Sequence, residues 1–210
     1  RSRPVGLVHL HDILGRGTGQ DPRDGSVRAL AERYDVDRDH AARIEATALA
    51  LFDQVAEAWN LNGDDRRLLA WAARVHEIGL AVAHSQYHQH GAYLFEHSDI
   101  AGFSRTEQQF IAALVRNQRR GLHMASIGAL TDRLAAAALH CAKLLRLSVL
   151  LHRSHDTLDI PVQKLEASDG TMRLHLPKEW LSAHPLTQAD LDTEIDYLRV
   201  QGQQLEVVQA

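Results

Sequence analysis

The sequence predicts a mainly α-helical domain followed by a small α+β unit, on three observations. Apolar residues recur at three- and four-residue spacing from about residue 24 to residue 151. The period drops to two around residues 157–162 and 172–176. Ser168-Asp169-Gly170, between those stretches, is a hairpin signal. The expected division is an opening loop segment over residues 1–23, a multi-helix domain over 24–153 and a small α+β domain over 154–210.

The elements follow in order. Residues 11–23 are rich in glycine and turn formers and read as a loop. Asp24 or Ser26 is the expected cap of a first helix carrying Val27, Leu30, Ala31 and Tyr34. Asp37 caps a long second helix whose apolar face is Ala41, Ile44, Ala48, Leu51, Phe52, Val55 and Trp59. Asn62-Gly63-Asp64 starts a third, with Leu68, Leu69, Trp71, Ala72, Val75 and Ile78 inward and Gly79 as its expected stop. A fourth runs through Gly91–Phe95. Ser104-Arg105-Thr106-Glu107 is a capping box for the next, with Phe110, Ile111, Leu114 and Val115 inward. A long Ala- and Leu-rich helix spans about Leu130 to Leu151. Thr157–Val162 and Met172–Leu176 read as strands, residues 187–202 as a helix and Leu205–Val208 as a last strand.

Composition sets the boundaries of function. The 210 residues are 45% hydrophobic and 24% charged, enough for a globular core. A net charge of −4 argues against a sequence-specific or general nucleic-acid binder. Cys141 is the single cysteine, sits in an apolar run and reads as a buried structural thiol; a lone thiol fits a reducing, cytoplasmic compartment. No stretch reads as an apolar span of roughly 20 residues, so no membrane partner is expected. The chain opens on Arg1-Ser2-Arg3-Pro4 rather than Met, which is the expectation for a partial or processed chain.

Fourteen histidines raise the question of metal. His84, His88 and His90 lie close together, the first two at i and i+4 if helical; they read either as a zinc or nickel chelate or as solvated histidines. His9, His11, His97, His123, His155, His175 and His184 read as surface residues.

Leu69-Ala70-Trp71-Ala72-Ala73-Arg74-Val75-His76-Glu77-Ile78-Gly79 resembles the HD-domain signature, in which a His-Asp pair precedes Ile-Gly. The resemblance implies an upstream His and a later Asp that join the pair on a divalent metal, which activates water or clamps phosphate. His40 stands at the upstream position, Glu77 replaces the Asp, and Lys143 occupies the place of the last Asp. Glu keeps a hard oxygen ligand on a longer arm. A cation beside a metal is repelled by several kcal/mol at an effective dielectric of about 20. His40, His76 and Glu77 are therefore the candidate ligands of a degenerate site at which no metal is expected.

Further segments narrow the resemblance. His84-Ser85-Gln86-Tyr87-His88-Gln89-His90-Gly91-Ala92-Tyr93-Leu94, Ser98–Ser104, Glu107-Gln108-Gln109 and Leu114-Val115-Arg116, with Asp12–Arg16 and Val27–Tyr34, are similar to the HD-like region of the exopolyphosphatase and guanosine pentaphosphate phosphohydrolase family. That resemblance covers about residue 9 to residue 153 and agrees in character with the tail. It implies that catalysis belongs to an N-terminal actin-like region with phosphate-binding glycine loops, an acidic base and magnesium ligands. Gly15, Gly17 and Gly19 follow no apolar strand and do not make such a loop. No catalytic residue carries over, no cofactor is expected in this chain, and magnesium is expected in the catalytic part.

Charge is uneven along the chain. Between Arg116 and Arg153 the basic residues are Arg116, Arg119, Arg120, Arg133, Lys143, Arg146 and Arg153, against Asp132 alone. Arg116, Arg119 and Arg120 fall at i, i+3 and i+4, one face if helical. Guanidinium groups suit phosphate through planar, bidentate donation. Arg116, Arg119, Arg120, Lys143 and Arg146 are the candidate polyphosphate contacts; a solvated basic face, or one paired with missing domains or a second subunit, is the other reading.

The sequence thus points to an accessory C-terminal region that binds polyphosphate or guanosine pentaphosphate and forms a homodimer. Two alternatives remain open: a self-sufficient metal-dependent HD phosphohydrolase acting on nucleotides, and a non-catalytic interaction module.

Overall fold

The computed structural model describes residues 21–154, 160, 164–168 and 170–209. The expected opening loop, apart from its last three residues, and the strand expected at Thr157–Val162, apart from Ile160, lie outside the described residues.

Seven α-helices come first among the described residues: α1 (Pro22–Arg33), α2 (Arg38–Val55), α3 (Gly63–Arg74), α4 (Tyr87–His97), α5 (Arg105–Asn117), α6 (Met124–Gly128) and α7 (Asp132–Leu151), with a 3-10 turn at Ile78–Ala81 between α3 and α4. The small unit follows as β1 (Lys164–Ser168), β2 (Thr171–Leu176), α8 (Lys178–Ala183), α9 (Pro185–Val200) and β3 (Gln204–Gln209). A mainly helical chain with a three-stranded C-terminal sheet is the fold class read from the sequence.

Caps fix most helix starts. Asp37 accepts from the His40 amide at 2.9 Å. Asn62 with Asp65, and Ser104 with Glu107, form reciprocal capping boxes. The start of α1 differs from expectation. Its cap is Asp21, because Pro22 can occupy the first turn without losing a hydrogen bond. Asp24 is then inside the helix, and its carboxylate accepts from Trp71 Nε1 and Arg74 Nη1, both at 2.8 Å. Ser26 instead donates to the Ala101 carbonyl.

The third helix stops earlier than Gly79. It ends at Arg74, and His76 Nδ1 meets the Ala73 carbonyl at 2.7 Å, closing the last turn. Gly79 lies in the 3-10 turn pressed on α4. A Cβ there would sit 1.9 Å from the Tyr87 carbonyl oxygen and 2.5 Å from the Gly91 amide nitrogen, so only glycine permits this approach.

Central strand β2 pairs antiparallel with β1, with Ser168 opposite Thr171, and parallel with β3. The predicted hairpin signal is realised, with Gly170 at φ 81°. The α8–α9 segment makes the crossover that the parallel pair requires. Leu165, Met172, Leu174, Leu176, Leu191 and Leu198 join one continuous core with the helical residues, so the small unit shares its hydrophobic interior with the helices.

The α7 helix is the central core element. Its 20 residues are long and apolar enough to cross a membrane, contrary to the reading of no such span. Most of that length is buried against protein, and it carries Lys143 and Arg146 in the interior. Cys141 is fully buried on it, and burial pushes its thiol pKa well up, away from reactivity.

Candidate functional site

Helix α5 ends at Asn117, and this termination builds the site. Asn117 Nδ2 donates back to the Ala113 carbonyl at 2.8 Å, and its Oδ1 accepts from the His123 amide at 2.6 Å. Arg120 takes a left-handed conformation, φ 59°. The expected single helical face for Arg116, Arg119 and Arg120 is therefore absent: Arg116 lies in the last turn, and Arg119 and Arg120 lie in the loop beyond.

Arg146 of α7 ties this loop down. Its Nη1 donates to the Asn117 carbonyl and its Nη2 to the Arg120 carbonyl, both at 2.6 Å. These carbonyls lie at a helix end, where intrahelical donors run out. The same guanidinium is gripped by Glu194 of α9, Nε to Oε1 at 2.5 Å and Nη2 to Oε2 at 2.6 Å. With 1% of its surface exposed, Arg146 clamps the loop rather than offering an open hand to a ligand. Lys143 is buried equally deeply. Its ammonium lies 4.6 Å from the Trp59 ring centroid and donates to Gln203 Oε1 at 3.0 Å, and burial lowers its pKa to about 8.

The loop, α7 and α9 enclose a cleft of about 670 Å³. Arg119, Arg120, Arg146 and Arg153 line it, as do Glu77, Asp190 and Glu194. Arg153 pairs with Asp190 at 2.5 Å. Among the described residues no carboxylate lies within ion-pair distance of Arg119 or Arg120. Arg119 stacks over the Tyr87 ring at 5.0 Å. His88 lies behind this wall, 4% exposed; burial first, then the positive field of Arg119, Arg120, Arg116 and Arg146, lowers its pKa to about 4. The arginines expected along one helix face do cluster, but through tertiary packing.

A second set of groups lies behind the cleft wall and reaches it through Glu77. His40 on α2 and His76 after α3 face each other with ring centroids 5.7 Å apart. One donor atom each from His40, His76 and Glu77 lies within 4.8 Å of the others, and all three residues are buried. The Nδ1 contact with the Ala73 carbonyl orients the His76 ring and turns Nε2 inward. Two imidazoles and a carboxylate suit manganese, iron or zinc, so the residues present fit a divalent metal. Glu77 belongs both to this trio and to the cleft wall. Gln118 joins the two, its Nε2 donating to the His76 carbonyl at 2.6 Å while it lines the cleft. Lys143, read as taking the place of a fourth ligand, points to Trp59 and Gln203 instead.

His84, His88 and His90 do not converge as a metal trio among the described residues. Helix α4 begins only at Tyr87, which leaves His84 outside it, and His88 is buried while His84 is exposed. Sequence reasoning missed Gln118, Tyr197, Asp190 and Glu194. Their partners are distant in sequence, and no local pattern marks them.

The family described as Ppx/GppA phosphatase, domain III, matches residues 23–195. The guanosine-5'-triphosphate,3'-diphosphate pyrophosphatases of Aeromonas hydrophila and Aeromonas salmonicida are each 32% identical over 197 residues, covering 92% of this chain and 39% of the relative. The chain thus spans well under half the length of these curated relatives. Match length and identity both point the same way as the HD-like resemblance, and the chain belongs to the Ppx/GppA phosphatase family as its domain III region.

Proposed function

We propose that this chain is the accessory C-terminal region of an exopolyphosphatase or guanosine pentaphosphate phosphatase, serving the stringent response in the cytoplasm. Its part is to bind the phosphate-rich ligand and to form a homodimer. Hydrolysis of the phosphoanhydride bond belongs to an actin-like catalytic part outside this sequence, with magnesium bound there. The observation that carries this reading is the cleft in which Arg119 and Arg120 stand without a carboxylate partner among the described residues. Arg116 adds to the positive field around His88. Arg146 contributes by holding the loop, and Lys143 is too deeply buried to touch a ligand.

The test is calorimetric titration of the chain with tripolyphosphate and with guanosine pentaphosphate. Binding that weakens at least tenfold in Arg119→Glu/Arg120→Glu, with no phosphate released in magnesium, is the expected result. Binding unchanged by those substitutions, or magnesium-dependent phosphate release, overturns it. Sedimentation velocity checks the dimer.

A second reading is favoured by the convergence of His40, His76 and Glu77. In it the chain is itself a metal-dependent phosphohydrolase acting on nucleotides; His40, His76 and Glu77 would hold the metal, which would supply activation of water. Near-stoichiometric manganese or zinc by elemental analysis, lost in His76→Ala, would favour it. If neither metal nor phosphate ligand binds, the chain is a non-catalytic interaction module.

A further inference from the structure

Glu77 belongs to two constellations at once. One of its carboxylate oxygens lies within 4.8 Å of a ring nitrogen of His40 and of one of His76. The same residue lines the cleft with Arg119 and Arg120. Only 8% of its surface is exposed, so water and salt screen its charge weakly.

Tyr87 shows that the two sets of charges share one neighbourhood. Its ring lies 5.0 Å from the Arg119 guanidinium. Burial first of all raises its hydroxyl pKa; Arg119 then lowers it and Glu77 raises it, so the two opposite charges act on one hydroxyl. The backbone joins the sets as well. Gln118 immediately precedes Arg119, and its Nε2 donates to the His76 carbonyl at 2.6 Å. The turn that carries His76 and Glu77 is thereby bonded to the loop that carries the arginines.

An anion in the cleft therefore meets two guanidiniums and the carboxylate of Glu77. A carboxylate of like charge weakens the hold on it. A divalent cation on the His40, His76 and Glu77 donors would change the sign of that local charge from negative to positive.

Resting on the reading that the cleft holds a phosphate ligand, we propose that His40, His76 and Glu77 form a regulatory divalent-cation site whose occupancy sets the anion affinity of the cleft. Glu77 is the switch. Without the ion its carboxylate repels the anion; with the ion it does not. Coupling of this kind is reciprocal, so an anion on Arg119 and Arg120 tightens the hold on the cation by the same factor. The role differs from that of a catalytic metal, because the ion need neither touch the anion nor activate water.

The experiment uses the whole chain, with manganese as the cation and sulfate as the anion, since sulfate is a tetrahedral dianion that chelates manganese only weakly. Sulfate is titrated calorimetrically with and without saturating manganese. Manganese binding is followed by electron paramagnetic resonance with and without sulfate. Each is expected to bind about tenfold more tightly when the other is saturating. Glu77→Gln keeps the shape of the side chain and discards its charge. Without manganese it should bind sulfate about tenfold more tightly than the parent, and manganese should change that affinity by less than about twofold. His40→Gln should abolish the manganese response. Sulfate affinity indifferent to bound manganese, or Glu77→Gln binding sulfate no more tightly than the metal-free parent, overturns this inference while the phosphate-cleft reading stands. So does a chain that binds sulfate but no manganese. If sulfate binds under neither condition, both fall.

Discussion

Arg146 and Glu194 meet at 2.5 Å in the interior, joining the long helix of the helical domain to the main helix of the small unit. Both are nearly inaccessible. Desolvating two charges costs much of what their attraction returns, so the pair is not a large net stabiliser. Breaking it is another matter. Glu194→Ala leaves a buried guanidinium without a carboxylate, with the Asn117 and Arg120 carbonyls and the Tyr197 ring face as its remaining partners, and should cost about 3–5 kcal/mol in urea denaturation. Arg146→Met should cost at least as much, because it also orphans those carbonyls. A loss under about 1 kcal/mol in either variant would mean that the contact is solvated.

Gly79 and Gly25 make a matched pair of tests. At Gly79 a Cβ would collide with the backbone of α4, which cannot yield like a flexible side chain. Gly79→Ala should therefore destabilise by several kcal/mol, on the scale of a severe core lesion, and should disturb the adjoining His76-Glu77 turn. At Gly25, inside α1, a Cβ meets nothing within 4 Å. Gly25→Ala should stabilise by about 0.5–1 kcal/mol through helix propensity. Thermal melts of the two variants check both signs.

The contrast between local and tertiary causes also explains what could be read from the sequence. The caps at Asp37, Asn62 and Ser104 are legible because donor and acceptor lie within three residues. The His40–His76–Glu77 set is legible because a motif marks it, though only the packing of α2 on α3 brings His40 to His76. The end of α5 is not legible: Gln118, Arg119 and Arg120 have no helix breaker before Gly121, and their loop is held by Arg146, 29 residues away from Asn117. The misplaced cap of α1 has the opposite origin, since Asp21-Pro22 is a local signal that stands next to equally good caps at Asp24 and Ser26.

Acid should loosen the molecule through its buried histidines. Burial lowers the pKa values of His88, His140 and His152 to about 4 each. The unfolded chain takes up these protons near pH 6.5, whereas the folded chain resists until near pH 4. Between those values the unfolded state binds more protons, so stability falls as pH falls, by up to about 1.4 kcal/mol per pH unit per histidine. His152 Nε2 lies 2.7 Å from Thr47 Oγ1 and His140 stacks on Trp59 at 4.2 Å, and it is burial that disfavours the charged form of both rings. Urea denaturation at pH 7, 6 and 5 should show the decline, and His88→Leu should make it shallower. An unchanged slope in that variant would show that His88 is protonated in the fold.

Lys143 should act in the opposite pH range. Its folded pKa of about 8 lies below its ordinary value of 10.5. Below pH 8 it is charged in both states, and the fold bears the full cost of a buried ammonium. Between about pH 8 and 10.5 the unfolded chain holds a proton that the folded chain has released. Stability contributed by this group therefore rises with pH across that window. The Trp59 face and Gln203 favour the ammonium and reduce the cost without removing it. Lys143→Met keeps the length of the side chain and discards the charge. It should be more stable than the parent at pH 7, and the difference should shrink as pH approaches 10. A variant less stable than the parent at pH 7 would mean that the Trp59 and Gln203 contacts outweigh desolvation, making Lys143 a genuine fastener between α7 and the turn before β3.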